Sequence, residues 1–398
     1  MHRLAPQPWM ISAQRVMDAL ETSQPGCARF VGGCVRNALL GEPVADVDIA
    51  TQLTPDRVEQ VMRAAGIAVH PTGIEHGTLT VVADHMPFEV TTLRRDVETD
   101  GRRAVVAFTQ DWAEDAQRRD FRMNALYVDR DGVVHDPTGG GLDDVAARRI
   151  VFVGDADTRI REDYLRILRF FRFQAWYGRA APDATGLDAC GRLRAGLAGI
   201  SSERIWMETK KLLAAPQPMP SLRAMETSGV LAQLFPEAKG LALLDRLVTL
   251  ARDGDVPADP MQRMLALFWK DARAVDAVVV RLKMSNDERD RLRWAARDET
   301  ALDTASLPEV RAAIYRKGAQ VVKDRAVLVW AGSGDARWRA VLAEAESWAP
   351  PAMPLNGADL LAAGFESGPE LGQALKKAEE AWISSDFALG RDELLSLT

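Results

Sequence analysis

Two periodicities divide the chain. Up to about residue 137, short apolar runs alternate with polar positions, as in "GTLTVVA" (77–83) and "FEVTTL" (88–93), the period-two pattern of half-buried strands. Short helical patterns lie between them. In "TPDRVEQVMRAAG" (54–66), Thr54 suits the cap, Pro55 the first turn and Gly66 the stop. From about Asp155 onward the spacing becomes that of amphipathic helices, interrupted at "AAPQPMPS" (214–221) and "LKMSNDERDRL" (282–292). The pattern predicts an α+β protein: a mixed sheet with flanking helices over 1–137, then all-α segments over 138–213, 214–298 and 299–398. By composition "RDETALDTAS" and "APPAMP" read as linkers.

Composition narrows the class. With 398 residues, 47% hydrophobic and 27% charged, the chain is globular and large enough for several packed units, with no fixed-period repeat or low-complexity block. The three cysteines, Cys27, Cys34 and Cys190, show no CxxC spacing, so neither a disulfide framework nor a zinc site is indicated and a reducing compartment is expected. The start "MHRLAPQPWMISAQRVMDAL" lacks a basic stretch followed by an apolar run, and no segment reaches membrane-spanning length; a cytoplasmic protein without a membrane partner is expected. No protein partner is evident. The net charge of −7 does not advertise nucleic acid, so any such partner must be met by local charge.

Local charge is found where the pattern otherwise looks like core. In "ADVDIAT" (45–51), Val47 and Ile49 alternate with Asp46 and Asp48, so on a strand both carboxylates leave one face. Paired carboxylates repel unless they share a cation, and an all-oxygen pair suits Mg²⁺, whose other ligands are waters and substrate phosphates. Just upstream, "VGGCVRN" (31–37) follows a short strand and opens a helix, which lets Gly32 and Gly33 bring backbone N–H groups to a phosphate with Arg36 nearby. Alone, a DxD is a solvated strand face and a GG pair a tight turn. Together they place phosphate and divalent metal at one point.

Two further clusters carry charge. "EDAQRRDFRMNALYVD" (114–129) sets Arg118, Arg119, Asp120 and Asn124 among apolar residues, a donor and acceptor set for a sugar and its phosphates or, more plainly, an ion-pair group. "REDYLRILRFFRFQAW" (161–176) spaces Asp163, Arg166, Arg169 and Arg172 by three, one drifting polar stripe on a helix opposite Leu165, Leu168 and Ala175. "RRDVETDGRRAVVAFT" (94–109) reads as a mobile loop between strand-like runs. The stretch from Arg159 to Arg179, and "RAAIYRKGAQVVKDR" (311–325), carry local positive excess suited to RNA phosphates or simply to a solvated helix face.

In this order, "GGCVRN" with "DVDIAT", "RRDFRMNA", "DPTGGGLDD" (136–144), "REDYLRILRFFRF" and "ISSERIWMETKKLL" (200–213) resemble the class II CCA-adding tRNA nucleotidyltransferases and bacterial poly(A) polymerases, of DNA polymerase β type. "PLNGADLLAAGFESGPELGQAL" (354–375) is similar to a tail segment of these enzymes. The resemblance implies a nucleotidyltransferase head followed by an all-α neck, body and tail, with CTP and ATP as substrates and the acceptor stem and 3′ end of tRNA as partner. It implies that Asp46 and Asp48 hold two Mg²⁺ ions, with Glu89 as a third carboxylate from a neighbouring strand. Gly32, Gly33, Arg36, Arg119, Asp120 and Asn124 would meet the nucleotide, the 94–109 loop would help the change from C to A, and "DPTGGGLDD" would be a hinge. Asn37, where the family usually has Asp, and Arg122, where Thr is common, depart from its pattern.

Cytosine and adenine share an exocyclic amine beside an acceptor ring nitrogen, whereas uracil and guanine present a carbonyl beside a ring N–H. A carboxylate with a guanidinium fits the first pair, and the resemblance places the family's protein template on Asp163 and Arg166, with Arg169 and Arg172 continuing toward the triphosphate. Addition of C or A alone remains open, as does poly(A) synthesis, although the tail is not basic and "AAGIAVHPTGIEHGTLTVV" has no arginine after Arg63. A non-enzymatic alternative is an RNA-binding scaffold on an inactive transferase fold.

Overall fold

The computed structural model describes residues 2–74, 77–99, 104–297 and 306–398. Contacts divide the chain into two units, Met1–Pro236 and Glu237–Thr398. Among the described residues the first holds every strand: β1 (Ala28–Val31), β2 (Asp48–Thr51), β3 (Ala68–Gly73), β4 (Thr78–Ala83), β5 (Met86–Thr92), β6 (Arg94–Thr99), β7 (Ala104–Phe108), β8 (Tyr127–Val128) and β9 (Val134–His135). Seven form a mixed sheet in the order β3-β4-β5-β2-β1-β8-β9, in which only β2 and β5 run parallel. This is the α+β architecture that the change of periodicity predicts.

Register decides what each face of that sheet carries. Tyr127, Val31, Asp48 and Glu89 stand opposite one another across β8, β1, β2 and β5, and Val128, Phe30, Ile49 and Val90 form the next row. Side chains alternate in a strand, so the two rows face opposite sides. Phe30 and Ile49 belong to the buried core beside Met17, Leu20, Val58 and Met62, and the Phe30 ring meets Trp9 edge-on at 5.0 Å. On the other face Val31, Ala50, Leu93, Ala116, Ala125, Tyr127 and Val153 make a second core, with Trp112 packed against it. Asp48 and Glu89 stand on this second face.

Three elements differ from the sequence reading. Residues 94–108 are not a loop: β6 and β7 pair antiparallel as a ribbon of their own, as expected where β-branched Val97, Thr99, Val105 and Val106 favour extended backbone, and residues 100–103 lie outside the described residues. Most of the "RDETALDTAS" linker, 298–305, also lies outside them. Asp46 precedes β2 rather than sitting in it, although Val47 and Ile49 are buried as the alternation requires. Finally, Asp163 is not on the helix Leu165–Tyr177; it ends the helix Ala156–Glu162 in extended backbone, and its Oδ1 accepts from the Leu165 N–H at 3.1 Å. A short acid that satisfies a free helix N–H is a cap, which explains the break.

A phenylalanine cluster fastens the helix Leu165–Tyr177 to the segment after the ribbon. Phe121 lies 5.0 Å from Phe152 and 5.1 Å from Phe173, and Phe152 stacks on Phe170 at 5.5 Å. The second unit is helical; its distal core gathers Leu355, Leu360, Ala374, Ala378 and Leu394 round Trp382, with the Tyr315 and Phe387 rings against it. Cys27, Cys34 and Cys190 are free and buried. Among the described residues no helix is long and apolar enough to cross a membrane.

Truncating Phe121 to alanine removes a fully buried ring from this junction, and Phe121→Ala is expected to cost about 3–5 kcal/mol of stability, read as a lowered urea midpoint of the first unit.

Candidate active site

The turn between β1 and the helix Gly33–Leu40 sets the geometry. Gly32 takes φ 75° and ψ −123°, a conformation that L side chains avoid, and any Cβ there would stand 3.5 Å from Arg119 Nη1 and 3.9 Å from Asp48 Oδ2. The glycine, the arginine and the aspartate therefore converge on one point at the start of a helix. Glu89 joins them from β5, opposite Asp48 in parallel register and exposed, and Asp46 is exposed just before β2.

Electrostatics at this point call for a cation. The Asp48 carboxyl is pushed up to about 6, first by burial and then by the negative Glu89, with Arg119 pulling the other way and Asp46 adding to the rise. The donors are all carboxylate oxygens, the chemistry of a hard divalent ion. Among the described residues no group of three or more His, Cys, Asp or Glu could hold a metal ion. Asp46 and Asp48 supply two hard oxygen donors, the ligand chemistry that Mg²⁺ takes, and fewer than a protein-only cage would need.

Arg119 is held by a residue the sequence reading overlooked. Asp115, 1% exposed, accepts from Arg119 Nη2 at 3.0 Å and Nε at 3.3 Å, from Arg118 Nε at 2.8 Å and from the Tyr127 hydroxyl at 2.7 Å. Burial pushes its carboxyl up, but the Arg119 and Arg118 charges and the Tyr127 bond outweigh it and bring the pKa down to about 2. The signal was present, since Asp115 precedes the two arginines by three and four residues.

A second chain of contacts runs from the glycine helix, Gly33–Leu40, to the helix Leu165–Tyr177, called the neck helix below. Arg36 is buried and donates to Asn124 Oδ1 at 2.6 Å, to Asn37 Oδ1 at 3.1 and 2.8 Å and to the Tyr177 hydroxyl at 2.9 Å, with its guanidinium 4.1 Å from the Tyr177 ring centre. Burial pushes its pKa below the usual arginine range. Asn124 in turn donates to Asp120 Oδ1 at 2.9 Å, and Arg169 donates to Asp120 Oδ2 through both Nε and Nη2. Arg36, Asp120 and Asn124 are therefore engaged with protein groups. Asn37 also donates to the Pro43 carbonyl at 2.6 Å, which ties the arginine to the segment leading into Asp46.

The stripe arginines are half-buried and paired with protein groups. Arg166 donates to Glu162 and to the Arg159 and Arg118 carbonyls, at 2.8 and 3.3 Å for the carbonyls, while Arg172 pairs with Glu208. Asp163 does not pair with Arg166; its Oδ2 accepts from Arg204 Nη2 at 2.7 Å. Both keep spare capacity, because each carboxylate oxygen has two lone pairs and the Arg166 Nε–H has no hydrogen-bond partner among the described residues. Tyr177, Arg204 and Glu208 carried no signal in spacing, since they lie 141, 41 and 36 residues from their partners, whereas Glu162 stands three and four residues from Arg159 and Arg166.

The motif 136–144 is a capped turn. Asp136 accepts from the backbone N–H of Gly139, Gly140, Gly141 and Leu142 at 2.7–3.2 Å, and Asp144, fully buried, is gripped by Arg122 through Nε at 2.6 Å and Nη2 at 2.9 Å. Arg122 therefore has a structural reason: it neutralises that carboxylate. A Cβ at Gly141 would lie 2.7 Å from the Arg122 carbonyl oxygen, so only glycine fits.

Comparison with known proteins follows this geometry. Residues 28–151 match the family described as the poly A polymerase head domain, and residues 185–241 match a probable RNA and SrmB-binding site of polymerase A. The chain is 36% identical over 394 residues to the mitochondrial CCA tRNA nucleotidyltransferase 1 of Danio rerio, covering 92% of this chain and 86% of the relative. It is 35% identical to the CCA-adding enzyme of Streptococcus sanguinis, over 89% of each chain. The crystal structure of the Bacillus stearothermophilus CCA-adding enzyme in complex with CTP superposes with a TM-score of 0.78 at 29% identity, covering 96% of this chain and 94% of that one.

Because the fold holds the Asp115 carboxyl near 2, against about 4 in an unfolded chain, its ionised form contributes stability that is complete above about pH 4 and is lost as the pH falls toward 2. The difference is on the order of 2 kcal/mol. Acid unfolding curves of the parent and Asp115→Asn are expected to converge over that window and to stand apart at neutral pH.

Proposed function

The chain belongs to the CCA tRNA nucleotidyltransferase family, and from that premise we propose that Asp46, Asp48 and Arg119 around Gly32 are the centre at which it joins nucleotides to RNA. It is a template-independent enzyme that completes the CCA end of tRNA from CTP and ATP. The carrying observation is the meeting of Gly32, Arg119 and Asp48 at one point, with Glu89 in register beside it.

The tRNA 3′-hydroxyl oxygen bonds to the α-phosphorus of the nucleotide, the bond to the bridging oxygen breaks and pyrophosphate leaves. Asp46 and Asp48 would hold Mg²⁺, with Glu89 adding negative charge beside them. When bound, the divalent metal supplies charge neutralisation at the phosphates and acidity to the attacking hydroxyl. Gly32 and Gly33 leave room for phosphate against the helix start, and Arg119 offers its outer guanidinium nitrogen there.

Base choice rests on Asp163 and Arg166. The Asp163 carboxylate accepts from the amine shared by cytosine and adenine, and Arg166 donates to the neighbouring ring nitrogen. A uracil or guanine would set like groups against each other, a penalty on the order of several kcal/mol. Arg36, Asp120, Asn124, Arg169 and Arg172 hold the glycine helix, the ribose-side motif and the neck helix together, so their influence on the nucleotide passes through position.

The tRNA is held by shape and phosphate charge. Much of the local positive excess is already paired within the fold: Arg159 and Arg166 with Glu162, Arg169 with Asp120, Arg311 with Glu344 and Asp386, and Arg316 with Glu380. Contact with the acceptor stem therefore falls to the cations left at the surface, such as Arg161 and Lys317. A cytoplasmic location fits three unpaired thiols.

Given tRNAs ending before CCA, after C and after CC, with labelled CTP, ATP, UTP or GTP, the protein is expected to add two C and then one A, and Asp46→Ala to add nothing. Long A tracts would indicate a poly(A) polymerase, arrest after CC a C-adding enzyme, and no addition a scaffold. In the same assay Asp163→Ala is expected to incorporate UTP and GTP more readily relative to CTP and ATP; unchanged selectivity would remove Asp163 from base choice.

A further inference from the structure

A fully enclosed carboxylate at the centre of two arginines is costly unless its bonds are complete, and Asp115 has them complete. Its Oδ2 takes Arg119 and the Tyr127 hydroxyl, and its Oδ1 takes Arg118 and, at 3.3 Å, the Arg94 N–H at the base of the β6–β7 ribbon. Neither oxygen meets solvent, and no step of nucleotide transfer needs this acid as a ligand or base.

Of the two arginines it holds, Arg119 is the one that reaches the site: its Nη1 borders the space beside Gly32 that Asp48 also borders. We infer that Asp115 is a positioning residue for the incoming nucleotide, setting its phosphate side through Arg119.

This inference rests on the function proposed above for Arg119. An asparagine at 115 keeps the size but replaces one acceptor oxygen with a donor, so one guanidinium faces N–H groups and swings away. Alanine at 118 also removes an ion pair with Asp115, but it leaves Arg119 on its carboxylate. The two variants therefore separate lost stability from lost placement.

The test uses the full chain in MgCl₂: CTP and ATP affinity by calorimetry, then KM and kcat for each nucleotide on tRNAs ending in C and CC. Asp115→Asn is expected to raise Kd and KM for both nucleotides about tenfold, with kcat changed less, and Arg118→Ala to keep the parent values at a similarly lowered thermal midpoint. Parent-like Kd values in Asp115→Asn, or the same rise in Arg118→Ala, would overturn the inference. If Asp115→Asn is recovered unfolded, Tyr127→Phe decides it, since it removes one bond to the same oxygen: a Kd raised about threefold supports the inference and an unchanged Kd overturns it. A parent that binds both nucleotides yet adds neither to tRNA would refute the proposed function while the binding comparison still decides the role of Asp115.

Discussion

Two carboxylates fixed in parallel register cannot relax apart, because the β2–β5 ladder that aligns Asp48 with Glu89 also holds the sheet together. Their repulsion is built into the backbone. The charges nearby act on it in opposite senses: Arg119 pulls the Asp48 carboxyl down while Glu89 and Asp46 push it up, and Gly32 keeps the space between Arg119 and Asp48 free of side chain. Charge of this kind makes the fold less stable than a neutral pair would.

The same logic extends outward through buried ion pairs. Asp115 fixes Arg118 and Arg119, Asp120 fixes Arg169, Glu208 fixes Arg172 and Glu162 fixes Arg166. Buried pairs add little net stability over a well-packed apolar substitute, but each admits one geometry, and breaking one partner is expensive. The phenylalanines around Phe121 supply cohesion and the ion pairs supply alignment. Arg36 is the exception in kind: among the described residues it has no carboxylate in ion-pair distance, and two asparagines with a tyrosine ring hold it instead.

Much of this was legible in the chain. Strands at 78–83 and 86–92 follow from strict alternation, the helix after Thr54 from its cap and stop, and the Asp48 and Gly32 centre from two motifs whose residue types suit only a few chemistries. The misreadings have local causes. An interval of three suggested one helix through Asp163, but an acid that can bond a free N–H ends helices as readily as it decorates them. The ribbon at 94–108 was hidden by its charges, which mark a loop by composition yet sit on β-branched backbone. The partners of Arg36, Asp163 and Arg172 lie 141, 41 and 36 residues away, and no periodicity spans such distances.

The three cysteines, none of them part of the chemistry described, leave the molecule with a practical property. Each is buried, and burial pushes all three thiols up, that of Cys34 to about 11, so none offers a ready thiolate to an alkylating reagent. A single cysteine introduced on the surface would thus be the one reactive handle on the native chain. Dyes or spin labels could be attached there without first stripping the natural residues, and the spacing of ribbon and neck helix followed through a catalytic cycle.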